Sequence, residues 1–317
     1  LTHVGYIPEQ EMAAQILGLT AVVGGHSHTY LSASDSRREG PYPTWVDNVG
    51  GGIVPVVQAG AFSRYLGHLI LDLDDDGNLI YAGGDTIEIN AEVAPDADVA
   101  AWVAEMAEPI EATRNLVVSE STAPIEGDRT VCRAMECEMG NLVTDAMLSR
   151  VAGQGITIAI QNGGGLRASI DDGTITLGEV LTVLPFQNTM ATFELSGAAV
   201  VAALENGASQ IEEGAGRFAQ VSGVQYTIDA AAEAGSRVSD VMVQVEGGWA
   251  PIDADAMYGV VSNNFMRGGG DGYRMFRDQA VNAYDFGPDV ADVVAEYLAE
   301  NNPYTAYTDG RITMTGQ

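Results

Sequence analysis

The chain has 317 residues, with 44 acidic against 14 basic side chains and a formal net charge of −30. All of the basic residues are Arg, and that field repels nucleic acid polymers, so DNA or RNA binding is excluded as the working reading. An apolar share of 46% supports packed cores, the length suits about two domains, and no apolar run reaches the roughly 18 residues a membrane span needs.

Taken in chain order, residues 8–18 read as a helix, and Ala21-Val22-Val23 as a buried strand delivering His26 and His28 at its carboxyl end. Residues 53–59 and 64–73 read as strands, followed by a hairpin turn at Asp74-Asp75-Asp76-Gly77-Asn78. Asp72, Asp74, Asp76 and Gly77 imitate half of a calcium loop, but Gly83 stands where such a loop needs Glu, so the segment reads as a polar hairpin. Residues 96–108 carry a helical stripe of Val99, Trp102, Val103 and Met106, which Pro109 ends or kinks. A domain boundary falls near residues 90–115.

Beyond it, strands and helices alternate. Met139–Val151 reads as a helix and Ile156–Gln161 as a continuous apolar strand. Thr176 and Glu179 have the spacing of a capping box. Ser196 caps a further helix closed by Gly207. Strands follow near 223–229, 237–246 and 257–262, with a last helix near 288–300. The fold class is therefore mixed α/β.

Three of the four histidines, His3, His26 and His28, lie within the first 28 residues, and imidazoles clustered in so His-poor a chain point to metal binding. His68, inside a strand, reads as structural. A two-metal phosphoesterase also needs bridging carboxylates, and Glu9 and Glu11 are badly placed on a helix, so the metal site is incomplete within these residues. The Asn162-Gly163-Gly164-Gly165-Leu166-Arg167 turn reads as ligand-facing backbone, with an amide before it and a bidentate anion clamp after it. Phe186 and Phe265, on separate loops, suit a clamp on a base, and Asp271 can accept hydrogen bonds from ribose hydroxyls. Cys132 and Cys137, five residues apart, can pair only across a turn; a disulfide is the reading taken here over two free thiols, and it implies an oxidising compartment, periplasmic or extracellular.

These stretches, with THVGY, VVGGHSHT, CRAMECEMGNLVTDAM, IAIQNGGGLRASI, VLPF and SNNFMRGGGDGY in order, resemble the 5′-nucleotidases of bacteria and animals, including periplasmic UDP-sugar hydrolases and ecto-5′-nucleotidases. The resemblance implies the C-terminal part of a metallophosphoesterase domain over residues 1–92, a linker helix over 93–115, and a C-terminal substrate-specificity domain over 116–317. It implies metal ligation by His3 and His26, with His28 at a position where relatives use Gln, Asn or His. Arg133, Asn162, Gly164 and Arg167 would contact the nucleotide, Phe186 and Phe265 would stack on the base, and Asp271 would bind ribose. Cys132 and Cys137 match a disulfide seen in some members. The implied cofactors are two divalent ions (Zn, Mn, Co or Mg), and the implied reaction is hydrolysis of a 5′-nucleotide, with UDP-sugars and 2′,3′-cyclic nucleotides as the alternative substrates. The family's Asp-x-His motif, bridging Asp and Asn-His segment are not in this sequence, so the chain reads as lacking the N-terminal metallophosphoesterase segment. By itself it is expected to bind nucleotide or nucleoside without turnover.

Overall fold

The computed structural model describes residues 1–316. The chain divides into two compact units, Leu1–Val103 and a second from Ala104 onward.

The first unit begins with α1 (Tyr6–Gln15), β1 (Val22–Val23), β2 (Thr44–Asp47) and β3 (Ile53–Val57). β1 runs parallel to β3 and β2 antiparallel to it. Ala13 of α1 packs on Val22, Val54 and Val56 in a small core. The helix starts two residues before the expected position. Gly5 is its N-cap, which puts Pro8 in the first turn, where a missing N–H leaves no bond unmade. The hairpin of β4 (Tyr65–Leu73) and β5 (Leu79–Glu88) turns where expected, with Asp74 accepting from the backbone of Asp76 and Asn78. The helix expected over 96–108 runs instead as α2 (Ala97–Arg114) straight through Pro109, and it contains the division between the two units. None of its residues is buried, so water can satisfy the carbonyl that Pro109 leaves without a donor. The stripe from Val99 to Met106 is exposed along its length.

The second unit opens with β6 (Val117–Ser121), α3 (Arg129–Cys132) and α4 (Glu138–Arg150). It continues with β7 (Ile156–Asn162), β8 (Gly173–Thr176), α5 (Leu177–Val183), β9 (Met190–Ser196) and α6 (Gly197–Ala208). Next come β10 (Ala219–Ser222), β11 (Val224–Asp229), β12 (Val238–Val245), β13 (Gly248–Pro251) and β14 (Met257–Asn263). The chain closes with α7 (Asn264–Arg267), α8 (Arg274–Asp278), β15 (Val281–Tyr284), α9 (Val290–Glu300) and β16 (Ile312–Thr315).

The central sheet has the order β10-β7-β14-β9-β15, with β7 and β14 parallel in its middle. Both are apolar on both faces because both faces are covered. Ile158, Ile160 and Val260 point into one core with Leu204 of α6 and Val243 of β12, whereas Ala159 and Val261 point into the other with Leu142 of α4 and Val294 of α9. The capping box at Thr176 and Glu179 is formed, and Ser196 caps α6. Gly207 does not close α6 but lies inside it, where a Cβ would meet Ala219 and the Tyr273 hydroxyl at 3.0 Å. Cys132 and Cys137 form a disulfide across the turn between α3 and α4. The buried Gln220 side chain holds that turn, donating to the carbonyls of Cys132 (3.0 Å) and Met135 (2.7 Å).

Arg311 joins three elements. Its guanidinium donates to Asp145 of α4 (2.8 Å), to the Val221 carbonyl of β10 (3.0 Å) and to Asp309 (2.9 Å), and Asp145 also accepts from Ser222 (2.7 Å) and Tyr307. Replacing Arg311 by Met leaves the partly buried Asp145 without its cation and is expected to destabilise the chain by about 2–4 kcal/mol in urea unfolding. Arg311 also holds the Asp309 carboxyl below its ordinary value. A lowered folded pKa stabilises above the unfolded value and is lost as pH falls through the folded one, so the acid limb of the stability curve should flatten in Arg311→Met.

Candidate functional site

In the second unit the two parallel strands β7 and β14 end side by side, at Asn162 and Asn263, where open α/β sheets bind ligands. Asn162 donates from Nδ2 to Asp271 Oδ2 at 2.7 Å. Asp271 sits in a left-handed turn (φ 53°), a conformation Asp tolerates better than most residues, and its backbone carbonyl accepts from Asn206 at 3.0 Å. β9 pairs with β14 so that Met190 faces Asn263, which brings the segment before β9 beside the one after β14. The backbone N–H of Asn264 donates to the Thr189 carbonyl (2.8 Å), and Thr189 N–H donates back to the Asn264 side chain (3.3 Å). Phe186 and Phe265 therefore stand on two segments tied to each other. Both rings are exposed, at 55% and 46%, although each follows a buried strand or helix. Gly270 lies against the Phe265 ring, where a Cβ would come within 2.5 Å of it.

Arg167 reaches the same end of the sheet. It donates to the Gly164 carbonyl at 3.3 Å, and its guanidinium lies over the Phe186 ring, 5.6 Å from the centroid. Arg133 lies within the disulfide turn, next to Cys132, and is half-buried, with its Nε lacking a partner. Burial, then the neighbouring charges of Arg167 and Arg129, push the Arg133 pKa down, with Asp271 opposing. Cations held close to one another in a chain of net charge −30 make this a candidate anion site.

The triple glycine packs closely against the protein itself. A Cβ on Gly163 would come within 2.3 Å of the Cys132 carbonyl, and one on Gly165 within 2.3 Å of the Gln161 side chain. The Gly164 N–H is already used by the Gly216 carbonyl, at 2.7 Å. These glycines let the protein pack on itself, and Gly164 keeps no free amide for a ligand.

In the first unit, the His3 and His26 rings meet edge to face at 5.3 Å, and the His28 ring lies against Phe62 at 5.3 Å. His26 and His28 both have positive φ (76° and 60°), a conformation rare outside Gly and Asn that surrounding contacts must hold. Glu9 and Gln58 supply those contacts. The buried Glu9 carboxylate accepts from Thr2 Oγ1 (2.7 Å), Gly25 N–H (3.0 Å) and Gln58 Nε2 (2.7 Å), and Gln58 Oε1 accepts from Thr29 N–H (3.0 Å) and Ser27 Oγ (3.2 Å). Burial alone would raise the Glu9 pKa, but the hydrogen bonds from Gln58, Thr2 and Gly25 together lower it. Among the described residues no three or more His, Cys, Asp or Glu side chains gather as a metal site. The two imidazoles do not amount to a complete donor set, so no chemical step can be assigned to a metal on these residues.

The structure thus brings Asn162, Asp271, Arg133 and Arg167 to one end of the central sheet, with Phe186 and Phe265 on linked segments beside them. Sequence reasoning missed Gln161, Asn263, Asn206 and Gln58, and set Glu9 aside as badly placed on a helix. The available signal was a polar side chain ending an otherwise apolar strand, which is how Gln161 and Gln58 stand. Glu9→Ala is expected to free the Gly25 amide and speed its hydrogen exchange roughly 10–100-fold, the weight of one charge-assisted bond. Unchanged protection at Gly25 would remove Glu9 from that role.

The matching family model is the 5′-nucleotidase C-terminal domain, over residues 76–278. The snake venom 5′-nucleotidase of Macrovipera lebetinus is 32% identical across 99% of this chain, which covers 81% of that protein. The human 5′-nucleotidase is 31% identical across 99% of this chain, which spans 58% of its length. The venom 5′-nucleotidase of Gloydius brevicauda is 32% identical, with 57% of its length covered. The crystal structure of a 5′-nucleotidase precursor from Thermus thermophilus superposes with a TM-score of 0.80 at 41% identity, covering 99% of this chain and 63% of that one. A carboxylate–amide pair, an arginine pair and two exposed rings at one sheet end therefore stand on a fold that this family shares, and the chain belongs to the 5′-nucleotidase family.

Proposed function

We propose that the protein to which this chain belongs hydrolyses 5′-nucleotides to nucleoside and phosphate, and that the second unit supplies nucleotide recognition. The observation that carries this reading is the Asn162–Asp271 hydrogen bond at the carboxyl end of β7, with Arg133, Arg167, Phe186 and Phe265 on the surrounding segments. A nucleotide has matching parts. Its ribose hydroxyls suit a carboxylate acceptor, its base suits exposed aromatic faces, and its phosphate suits guanidinium groups. Arg167 stacked on Phe186 would move off that ring to leave the face to a base.

In this reading the first unit contributes His3, His26 and His28 as part of a ligand set for two divalent ions, which supply an activated water when bound. The remaining ligands and the catalytic residues belong to an N-terminal metallophosphoesterase segment. The domain limits proposed are residues 1–92, 93–115 and 116–317. The disulfide of α3 and α4 supports an oxidising compartment, periplasm or cell exterior. Among the described residues no helix is long and apolar enough to cross a membrane. A second reading for the chain as it stands is binding without turnover.

Calorimetric titration of adenosine and AMP into the chain, without metal, tests recognition. Saturable binding of both is expected, and no heat at millimolar ligand would remove the proposal for this unit. Phe186→Ala or Phe265→Ala should weaken adenosine by about 1–3 kcal/mol if the rings stack. Arg167→Ala should weaken AMP more than adenosine; equal losses would contradict a phosphate role.

A further inference from the structure

A carboxylate recognises a pair of sugar hydroxyls only if it is held still with an oxygen left open. Asp271 meets this condition. Oδ2 is taken by Asn162, and among the described residues Oδ1 accepts no hydrogen bond. The Asn162 amide has to present its NH2 group and not its oxygen, since an oxygen facing the carboxylate would repel it. What decides that orientation lies beneath the site. Asn162 Oδ1 is claimed by two donors, Asn263 Nδ2 at 3.0 Å and Gln161 Nε2 at 3.2 Å. Asn263 Nδ2 also donates to Gln161 Oε1 at 2.9 Å. Asn263 Oδ1 in turn accepts from the Met266 N–H at 2.8 Å, capping α7. Polarity therefore runs one way, from the Met266 N–H through the Asn263 and Asn162 amides to the Asp271 carboxylate. Gln161, Asn162 and Asn263 are 1%, 4% and 0% exposed, so water cannot substitute for any of these bonds, and a flipped amide would leave buried groups unpaired.

We propose that Asn263 is a positioning residue of this site: one buried side chain caps the helix that carries Phe265 and, through Asn162, fixes the Asp271 carboxylate with one oxygen free for the ligand's hydroxyls. This rests on the nucleoside reading above. Asn263 touches no ligand itself. It makes the aromatic and carboxylate elements rigid relative to each other, and so couples base recognition to sugar recognition.

The probes are adenosine and 2′,3′-dideoxyadenosine, which share the base and differ in the sugar hydroxyls, titrated into the full chain. The wild type should prefer adenosine by about 10–100-fold, the weight of hydrogen bonds to a charged group. Asn263→Ser keeps an oxygen able to cap α7 but cannot reach Asn162. In this variant the preference should fall to within about threefold of unity, while dideoxyadenosine affinity changes by less than about twofold. A folded variant that keeps the wild-type preference overturns the proposal, and so does equal weakening of both ligands, which a purely structural role would give. If Asn263→Ser fails to fold by circular dichroism, Asn263→Thr decides on the same ratio. It likewise keeps a capping hydroxyl and removes the Nδ2 donor to Asn162, and an unchanged preference again overturns the proposal. A wild type with no preference overturns the sugar-binding role of Asp271 itself, which separates that failure from one at Asn263.

Discussion

Two parallel strands buried on both faces must end somewhere, and their ends carry polar groups that water cannot reach. In this chain β7 and β14 finish in Gln161-Asn162 and Asn263, and the buried amides satisfy one another before the last of them turns outward to Asp271. Much of the site depends on this constraint. The segments that carry Phe186 and Phe265 leave from the adjoining strand ends of β9 and β14, and the glycine turn after Asn162 packs against the Cys132 carbonyl.

The same logic appears in the first unit in a different form. His26 and His28 occupy backbone conformations that neither would choose alone. They are kept there by a buried carboxylate and a buried carboxamide, Glu9 and Gln58, that bond to the backbone and hydroxyls of their loop. In both units, groups proposed to meet ligands are held by buried polar side chains that bond to one another. Buried, fully paired polar networks rigidify more than they stabilise, which suits sites that must hold a geometry.

The strongly acidic surface gives the arginines their significance. With no Lys in the chain, every positive side chain is an arginine, and their settings differ: Arg311 completes a structural network with Asp145 and Asp309, whereas Arg133 and Arg167 stand at the candidate site. Burial and the neighbouring Arg167 charge push the Arg133 pKa down, and neither arginine forms an ion pair among the described residues. That leaves both guanidinium groups open for the phosphate role proposed for them.

The sequence by itself determined the local matters. The alternation of strands and helices, the capping at Thr176 and Ser196, the hairpin at Asp74 and the apolar run of β7 all follow from short-range chemistry, and the motif order carried the family. Neither Pro109 nor Gly207 ends its helix, because a local breaker is overruled where solvent or a neighbouring side chain changes its cost: α2 is bathed in water, and Gly207 makes room for Tyr273. For the glycine triplet, a sequence shows that backbone can approach something closely but not what that something is. Only the tertiary structure decided that it is Cys132 and Gln161, that Asn162 is aimed by Asn263 a hundred residues later, and that Glu9 reaches the histidine loop. Those partners are set by strand register and by which faces are buried, and both are long-range consequences of packing that no short window of sequence contains.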